Sequence, residues 1–177
     1  GVYMTTSPNN PTTIRSYKKG DDKVIHALFN YYAENSFAVY SEEKVKKSFV
    51  EQIVKNARVL LILEADNTIA GFGYISPYKS FKNFARTGVL TYFIAEEFTG
   101  KGYGRTLFET LIEKGMKKGI TNYLAHISAL NEPSLKFHQK LGFTEVGRFK
   151  NVADKFGKTV DIIWVQKDFA SPGNTEE

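Results

Sequence analysis

Three glycines at alternate positions, Gly100, Gly102 and Gly104, stand between a strand-like run and an amphipathic helical run. A chain that leaves a strand and enters a helix within a few residues is building an α/β unit. Without Cβ atoms, these residues let the backbone pass close to a bulky ligand. The first N–H groups of the helix that follows lack intrahelical acceptors, point outward and suit a phosphate.

The rest of the chain supplies more units of both kinds. Thr12 to Tyr17 alternates like a strand, and Asp21-Asp22 can cap a helix carrying Val24, Ile25, Leu28, Phe29 and Tyr32. After an aromatic break from Ser36 to Tyr40, Ser41 with Glu43 opens a second helix carrying Val45, Phe49, Ile53 and Val54. Arg58–Glu64 and Ile69–Ile75 flank the turn-favouring pair Asp66-Asn67, which predicts a β-hairpin whose first strand is apolar on both faces. Gly88 to Ala95 is a strand. The helix after the glycines carries Leu107, Phe108, Leu111, Ile112 and Met116 and ends at Gly119. Thr121–Ser128 reads as a strand, Glu132–Leu141 as a short helix stopped by Gly142, and Phe143–Phe149 and Val160–Lys167 as closing strands. The order is β-α-α-β-β-β-α-β-α-β-β.

At 177 residues the chain fits one domain, expected over 12–169, with a flexible segment at 1–11 and a flexible tail at 170–177. No apolar run approaches the roughly 20 residues a spanning helix needs, so no membrane partner is expected. The first eleven residues lack a basic region followed by an apolar stretch, which favours a cytoplasmic location. With no cysteine, a disulfide, a thiolate zinc site and a cysteine nucleophile are all excluded. The net charge of +5 is spread along the chain with acidic residues interleaved, so no nucleic-acid patch is expected.

A Walker A loop needs Lys and Ser/Thr directly after its last glycine, whereas Arg105 and Thr106 follow Gly104. A dinucleotide fingerprint needs Gly-x-Gly-x-x-Gly near the start of a βαβ unit, and both spacing and position differ here. A pyrophosphate held by backbone N–H groups beside Lys101 and Arg105 remains, against the plainer reading of a glycine turn that only starts a helix.

Downstream of a strand lies Asn131-Glu132-Pro133-Ser134-Leu135-Lys136-Phe137-His138-Gln139-Lys140-Leu141-Gly142-Phe143. With the glycine loop, this resembles the GNAT superfamily of acetyl-CoA-dependent N-acetyltransferases. Their loop reads Gln/Arg-x-x-Gly-x-Gly/Ala, and their later helix carries Asn, Ala/Ser and a terminal Gly-Phe. Val146-Gly147-Arg148-Phe149, Lys155-Phe156-Gly157-Lys158 and Asp161 narrow the resemblance to the phosphinothricin acetyltransferase branch, as does His138 where other members carry Tyr.

The resemblance implies a GNAT fold, a twisted, mixed and mostly antiparallel sheet of six to seven strands flanked by about four helices. It implies a homodimer, acetyl-CoA as cosubstrate without a metal, and a small-molecule amine as acceptor. Coenzyme A would be held by Thr99, Gly100, Lys101, Gly102, Tyr103, Gly104 and Arg105, by Phe93-Ile94 pairing along the pantetheine arm, and by Asn131 and Ser134. Thr99 departs from the family's Gln or Arg. Asn131 also suits an ordinary helix cap. His138 would be the acid that protonates the departing thiolate, against its plainer reading as a partly buried helix histidine; His126 and His26 read as structural or solvated. Phe37, Tyr40, Tyr74 and Arg86 would meet the acceptor, with Arg86 pairing a carboxylate. The branch's base, a Glu in Thr-Val-Glu, aligns with Val89 of Thr87-Gly88-Val89, so no base is assigned; Glu34, Glu96, Glu97 and Tyr92 are substitutes. The alternatives to a small amine are a peptide or ribosomal N-terminus as acceptor, and a non-catalytic acyl-CoA-binding regulatory module.

Overall fold

The structure, a computed structural model, describes residues 3–6 and 11–169; the flexible tail expected at 170–177 lies outside them. Strands β1 (Tyr3–Thr6) and β2 (Pro11–Ser16) precede helices α1 (Asp22–Asn35) and α2 (Lys47–Asn56). Strands β3 (Val59–Ala65), β4 (Thr68–Pro77) and β5 (Thr87–Ile94) follow, then α3 (Tyr103–Lys117), β6 (Asn122–Ser128), α4 (Glu132–Lys140), β7 (Thr144–Lys155) and β8 (Lys158–Asp168). All strands join one sheet in the order β1-β2-β3-β4-β5-β6-β8-β7. Among the described residues only the β5–β6 pair is parallel. The expected fold is present, with seven strands from β2 to β8, four helices and the expected element order. Strand β1 is an addition: its backbone pairs antiparallel with β2 from Tyr3↔Ile14 to Thr6↔Pro11, inside the segment expected to be flexible. The other residues of that segment before Pro11 are outside the described ones.

Helices cover both faces of the sheet, which explains why β3 is apolar throughout. Leu61 and Leu63 face one core with Leu107 and Leu111 of α3, and Ile62 faces a second core with Ile25 and Phe29 of α1 and Val50 of α2. Of the α3 stripe, Leu107, Phe108, Leu111 and Ile112 are buried as expected; Met116 is exposed. Asp66 and Asn67 both take positive φ (54° and 61°), the backbone of the two-residue turn that their side chains tolerate, and close the predicted hairpin.

Two local readings change. Asp21 does not cap α1; its carboxylate takes the Lys18 N–H (2.7 Å) and the Arg15 guanidinium (2.8 Å), and Arg15 also binds Glu64. The second helix starts at Lys47 rather than at Ser41. Ser41 Oγ accepts the Glu43 N–H in a local turn, and α1 claims both backbone groups of Val45: its N–H donates to Asn30 Oδ1 (2.8 Å) and its carbonyl meets His26 Nε2 (2.7 Å). Tied down in this way, residue 45 cannot enter a helical turn.

Candidate functional site

Strands β5 and β6 run together only from Thr87↔Asn122 to Val89↔Leu124 and then part. Backbone groups alternate sides along a strand. Ala95 N–H binds Ala70 of β4, whereas the Arg86 carbonyl accepts N–H groups from Thr121 and Asn122, leading into β6. The main-chain groups of Phe93 are therefore spent on Phe72, and those of Leu90, Tyr92 and Ile94 are aimed into the gap, where the Ile94 carbonyl already accepts the Tyr32 hydroxyl. Of the expected Phe93-Ile94 pair, the Ile94 N–H faces the gap and the Phe93 ring is buried against α1; both residues line the cleft. Leu90, and Tyr92, which the sequence reading named only as a substitute base, share this gap-facing edge.

The gap opens a cleft of about 660 Å³. At its open end are Thr99, Gly100, Gly102, Tyr103, Gly104 and Arg105. Gly100 and Gly102 take positive φ (76° and 83°), and α3 begins directly after Gly102. The first intrahelical acceptor, the Gly102 carbonyl, is used by Thr106, so the N–H groups of Tyr103, Gly104 and Arg105 begin the helix without one. These features fit a pyrophosphate. Thr99 donates its hydroxyl back to the Glu96 carbonyl (2.7 Å), and exposed Arg105 lies near Glu109 (3.6 Å). Lys101 does not line the cleft; its ammonium lies 5.7 Å over the Phe98 ring.

The two faces of the gap differ. On the α3/α4 face, Asn131 caps α4 by accepting the Ser134 N–H (3.4 Å), and both residues line the cleft. His138 is buried, with 3% of its surface exposed. Its Nδ1–H donates to the Ser134 carbonyl (2.7 Å), which leaves Nε2 as the acceptor for the Tyr92 hydroxyl. Burial lowers the His138 pKa below the ordinary histidine value despite the Ser134 bond, and burial pushes the Tyr92 phenol up. The neutral imidazole is thus covered by Tyr92. The Tyr92 hydroxyl lies over His138 Nε2, and both residues line the cleft.

The α1/α2 face carries Tyr40, Tyr74, Val89, Thr91 and His126. Side chains alternate along β6; Tyr123, Ala125 and Ile127 enter the α3-side core, so His126 points the other way. Its Nδ1 bonds the Tyr40 hydroxyl (2.6 Å) and its ring lies 4.7 Å from that of Trp164. Both side chains keep part of their surface in solvent at the cleft mouth, and partial desolvation by the surrounding protein lowers the His126 pKa and raises Tyr40 to about 12. His126 was read as structural or solvated, and the structure places it in the cleft. The signal was a polar residue on the strand face opposite its core-facing neighbours. Phe37 and Arg86 do not line the cleft. Phe37 meets Phe156 of the β7–β8 turn edge-on (5.6 Å), and Arg86 sits before β5, at the end away from the splayed strands. No aspartate or glutamate lines the cleft among the described residues; Glu34, Glu96 and Glu97 lie outside it.

The depressed His138 pKa has a stability consequence. The unfolded chain takes up the proton at the ordinary value of 6.5, the folded chain only at lower pH. Stability is therefore complete above 6.5 and is lost as pH falls through the folded-state value. Thermal melts from about pH 7.5 down to 5 should show this loss, and His138→Phe should flatten the pH dependence.

Comparison with known proteins agrees with this geometry. The acetyltransferase (GNAT) family model matches residues 25–143. The chain is 26% identical to the L-amino acid N-acyltransferase MnaT of Escherichia coli over 158 residues, 87% of this chain and 92% of that protein. It is 29% identical to a phosphinothricin N-acetyltransferase of Streptomyces coelicolor over 162 residues, 87% and 94% of the two chains. Among solved structures, the yncA acetyltransferase of Salmonella typhimurium with its cofactor acetyl-CoA superposes with a TM-score of 0.79 at 25% identity, covering 90% of this chain and 95% of that one. The chain belongs to the acetyltransferase (GNAT) family and is similar to its phosphinothricin acetyltransferase-like branch.

Proposed function

We propose that this protein is an N-acetyltransferase that moves the acetyl group of acetyl-CoA to the primary amine of a small molecule, in one ternary complex. The observation that carries the reading is the parting of β5 from β6 with a glycine-started helix at the open end. The N–H groups of Tyr103, Gly104 and Arg105 would hold the pyrophosphate, each charge-assisted bond contributing roughly 1.5–3 kcal/mol. The gap-facing edge of β5 would take the pantetheine arm as an added strand would. Acetyl-CoA supplies the activated acyl group. Around it, main-chain N–H groups of β5 polarise the carbonyl, and the Tyr92–His138 pair lines the α3/α4 side of the cleft, where the sulfur would leave.

The acceptor then enters from the α1/α2 face, between the rings of Tyr40 and Tyr74. Amino acids and their analogues are the acceptors suggested by the relatives' activities. The polar groups that would meet them are the hydroxyls of Tyr40 and Ser76 and the imidazole of His126, in place of Arg86. A wall of aromatic rings favours a small acceptor over a peptide N-terminus, which needs an open groove. For the homodimer, edge strand β7 offers exposed Val146, Phe149 and Val152.

The test is release of free thiol from acetyl-CoA across a panel of amino acids, their analogues and arylalkylamines. Turnover with at least one amine is expected; acetyl-CoA binding without thiol release would identify an acyl-CoA sensor instead. His138→Phe should lower kcat by about 10² while acetyl-CoA affinity stays within a few-fold, since Tyr92 loses the partner that orients it.

A further inference from the structure

We infer that Tyr40 and His126 together accept the proton of the acceptor amine, so that the base of this enzyme sits on β6 and the loop after α1 rather than on β5. The inference rests on the N-acetyltransferase reading above.

An alkylammonium near pKa 10.4 is neutral in only about one molecule in two thousand at pH 7, so the attacking lone pair must be uncovered in the site. No carboxylate among the described residues lines the cleft to do this. His138 is unsuited, because it lies on the opposite face with Nδ1–H bound to Ser134 and Nε2 covered by Tyr92. On the acceptor's own face, the one imidazole is His126, two residues beyond the point where β5 and β6 separate. Tyr40 Oη lies 2.6 Å from its Nδ1 and also lines the cleft.

Charges near the pair are engaged elsewhere. Lys155 of β7 donates to the Val39 carbonyl, Glu42, two residues after Tyr40, accepts the Phe156 N–H, and Asp161 of β8 binds the Arg148 guanidinium (2.8 Å) and the Asn151 N–H (2.8 Å). From β8, His126 meets the uncharged indole of Trp164, and from the loop it meets the phenol of Tyr40. The imidazole is thus a neutral acceptor at pH 7, in keeping with its lowered pKa, and the Tyr40 phenol, raised to about 12, remains protonated and can only relay.

The step balances as follows. Tyr40 Oη accepts one proton from the ammonium while its own proton passes to His126 Nδ1. The freed nitrogen lone pair forms the N–C bond to the thioester carbonyl, and the C–S pair leaves on sulfur. The nitrogen's second proton ends on sulfur as free thiol. The imidazolium, exposed at the cleft mouth, discharges to water.

The experiment compares wild type, Tyr40→Phe, His126→Gln and the double variant by thiol release against pH, with acetyl-CoA affinity measured by calorimetry. Each single variant should lose about 10²-fold in kcat with acetyl-CoA affinity unchanged, and the double variant should lose no more than either single. The acid limb of kcat/KM against pH, present in wild type, should vanish in His126→Gln. An NMR titration of the His126 ring in wild type should reproduce that limb, whatever the variants' folding. An unchanged acid limb in His126→Gln, or a ring titrating at or above the ordinary histidine value, would overturn the inference and leave the acetyltransferase reading standing. Absence of thiol release from wild type with every amine would remove both.

Discussion

Gly102→Val should weaken acetyl-CoA binding by at least about 10²-fold while the protein still unfolds cooperatively. Gly102 holds φ at 83°, a region that costs an L-residue about 1–2 kcal/mol and a β-branched residue more. A Cβ there meets nothing within 4 Å, so the effect does not come from a clash inside the protein. Relief comes from rotating the peptide that begins α3, which turns the N–H groups of Tyr103 and Gly104 away from the ligand. Losing two charge-assisted bonds of roughly 1.5–3 kcal/mol each weakens binding by about 10² to 10⁴. Gly119, at φ 80° after the far end of the same helix and also in open space, supplies the control. Gly119→Val should lower the melting temperature by a similar few degrees and leave the calorimetric Kd unchanged. Equal Kd values for Gly102→Val and wild type would remove the loop from the binding site.

Gly115→Ala should be among the most destabilising single-methyl additions in the molecule, lowering the melting temperature by about 10 °C. A Cβ at this α3 position would lie 2.1 Å from Tyr123 Oη and 2.9 Å from Ile75 Cδ1. Neither neighbour can step aside. Both are fully buried, and the Tyr123 hydroxyl donates to the Ile120 carbonyl (2.7 Å), the contact that ties the end of α3 to the start of β6. Overpacking typically costs about 1–3 kcal/mol, and a displaced buried hydroxyl adds a comparable amount. The roughly 1 kcal/mol that alanine gains over glycine in a helix does not offset this. At about 2–4 °C per kcal/mol for a domain of this size, the loss reaches the stated shift. Adding Tyr123→Phe to Gly115→Ala should recover part of it, because the nearest clashing atom is removed. A calorimetric melt of Gly115→Ala matching wild type would refute the close approach of α3 to β6.

Patterns that depend on neighbours in the chain were legible before the structure. The hairpin at Asp66-Asn67 follows from two residues that tolerate positive φ, and the start of α3 follows from Gly102. The double-sided apolar run of β3 announced a sheet covered on both faces. Features set by distant partners were not legible. Residue 45 looks helical in sequence, and only Asn30 and His26 of α1 hold it out of a helix. In the cleft, the loop and α4 residues are close together in sequence, so their grouping is legible without the fold. That Arg86 and Phe37 lie off the cleft depends on where β5 begins and where the β7–β8 turn folds back, which no local pattern shows. The pairings Tyr92 with His138 and Tyr40 with His126 join residues 46 and 86 positions apart, and no local periodicity announces them.

Where β5 and β6 separate, the sheet is notched from Val89 and Leu124 onward, and the notch lets one cleft reach both faces of the sheet. A single compound laid through the notch, with a pantetheine-like tail on the α3/α4 side and an aryl amine on the α1/α2 side, would occupy both halves of the cleft at once.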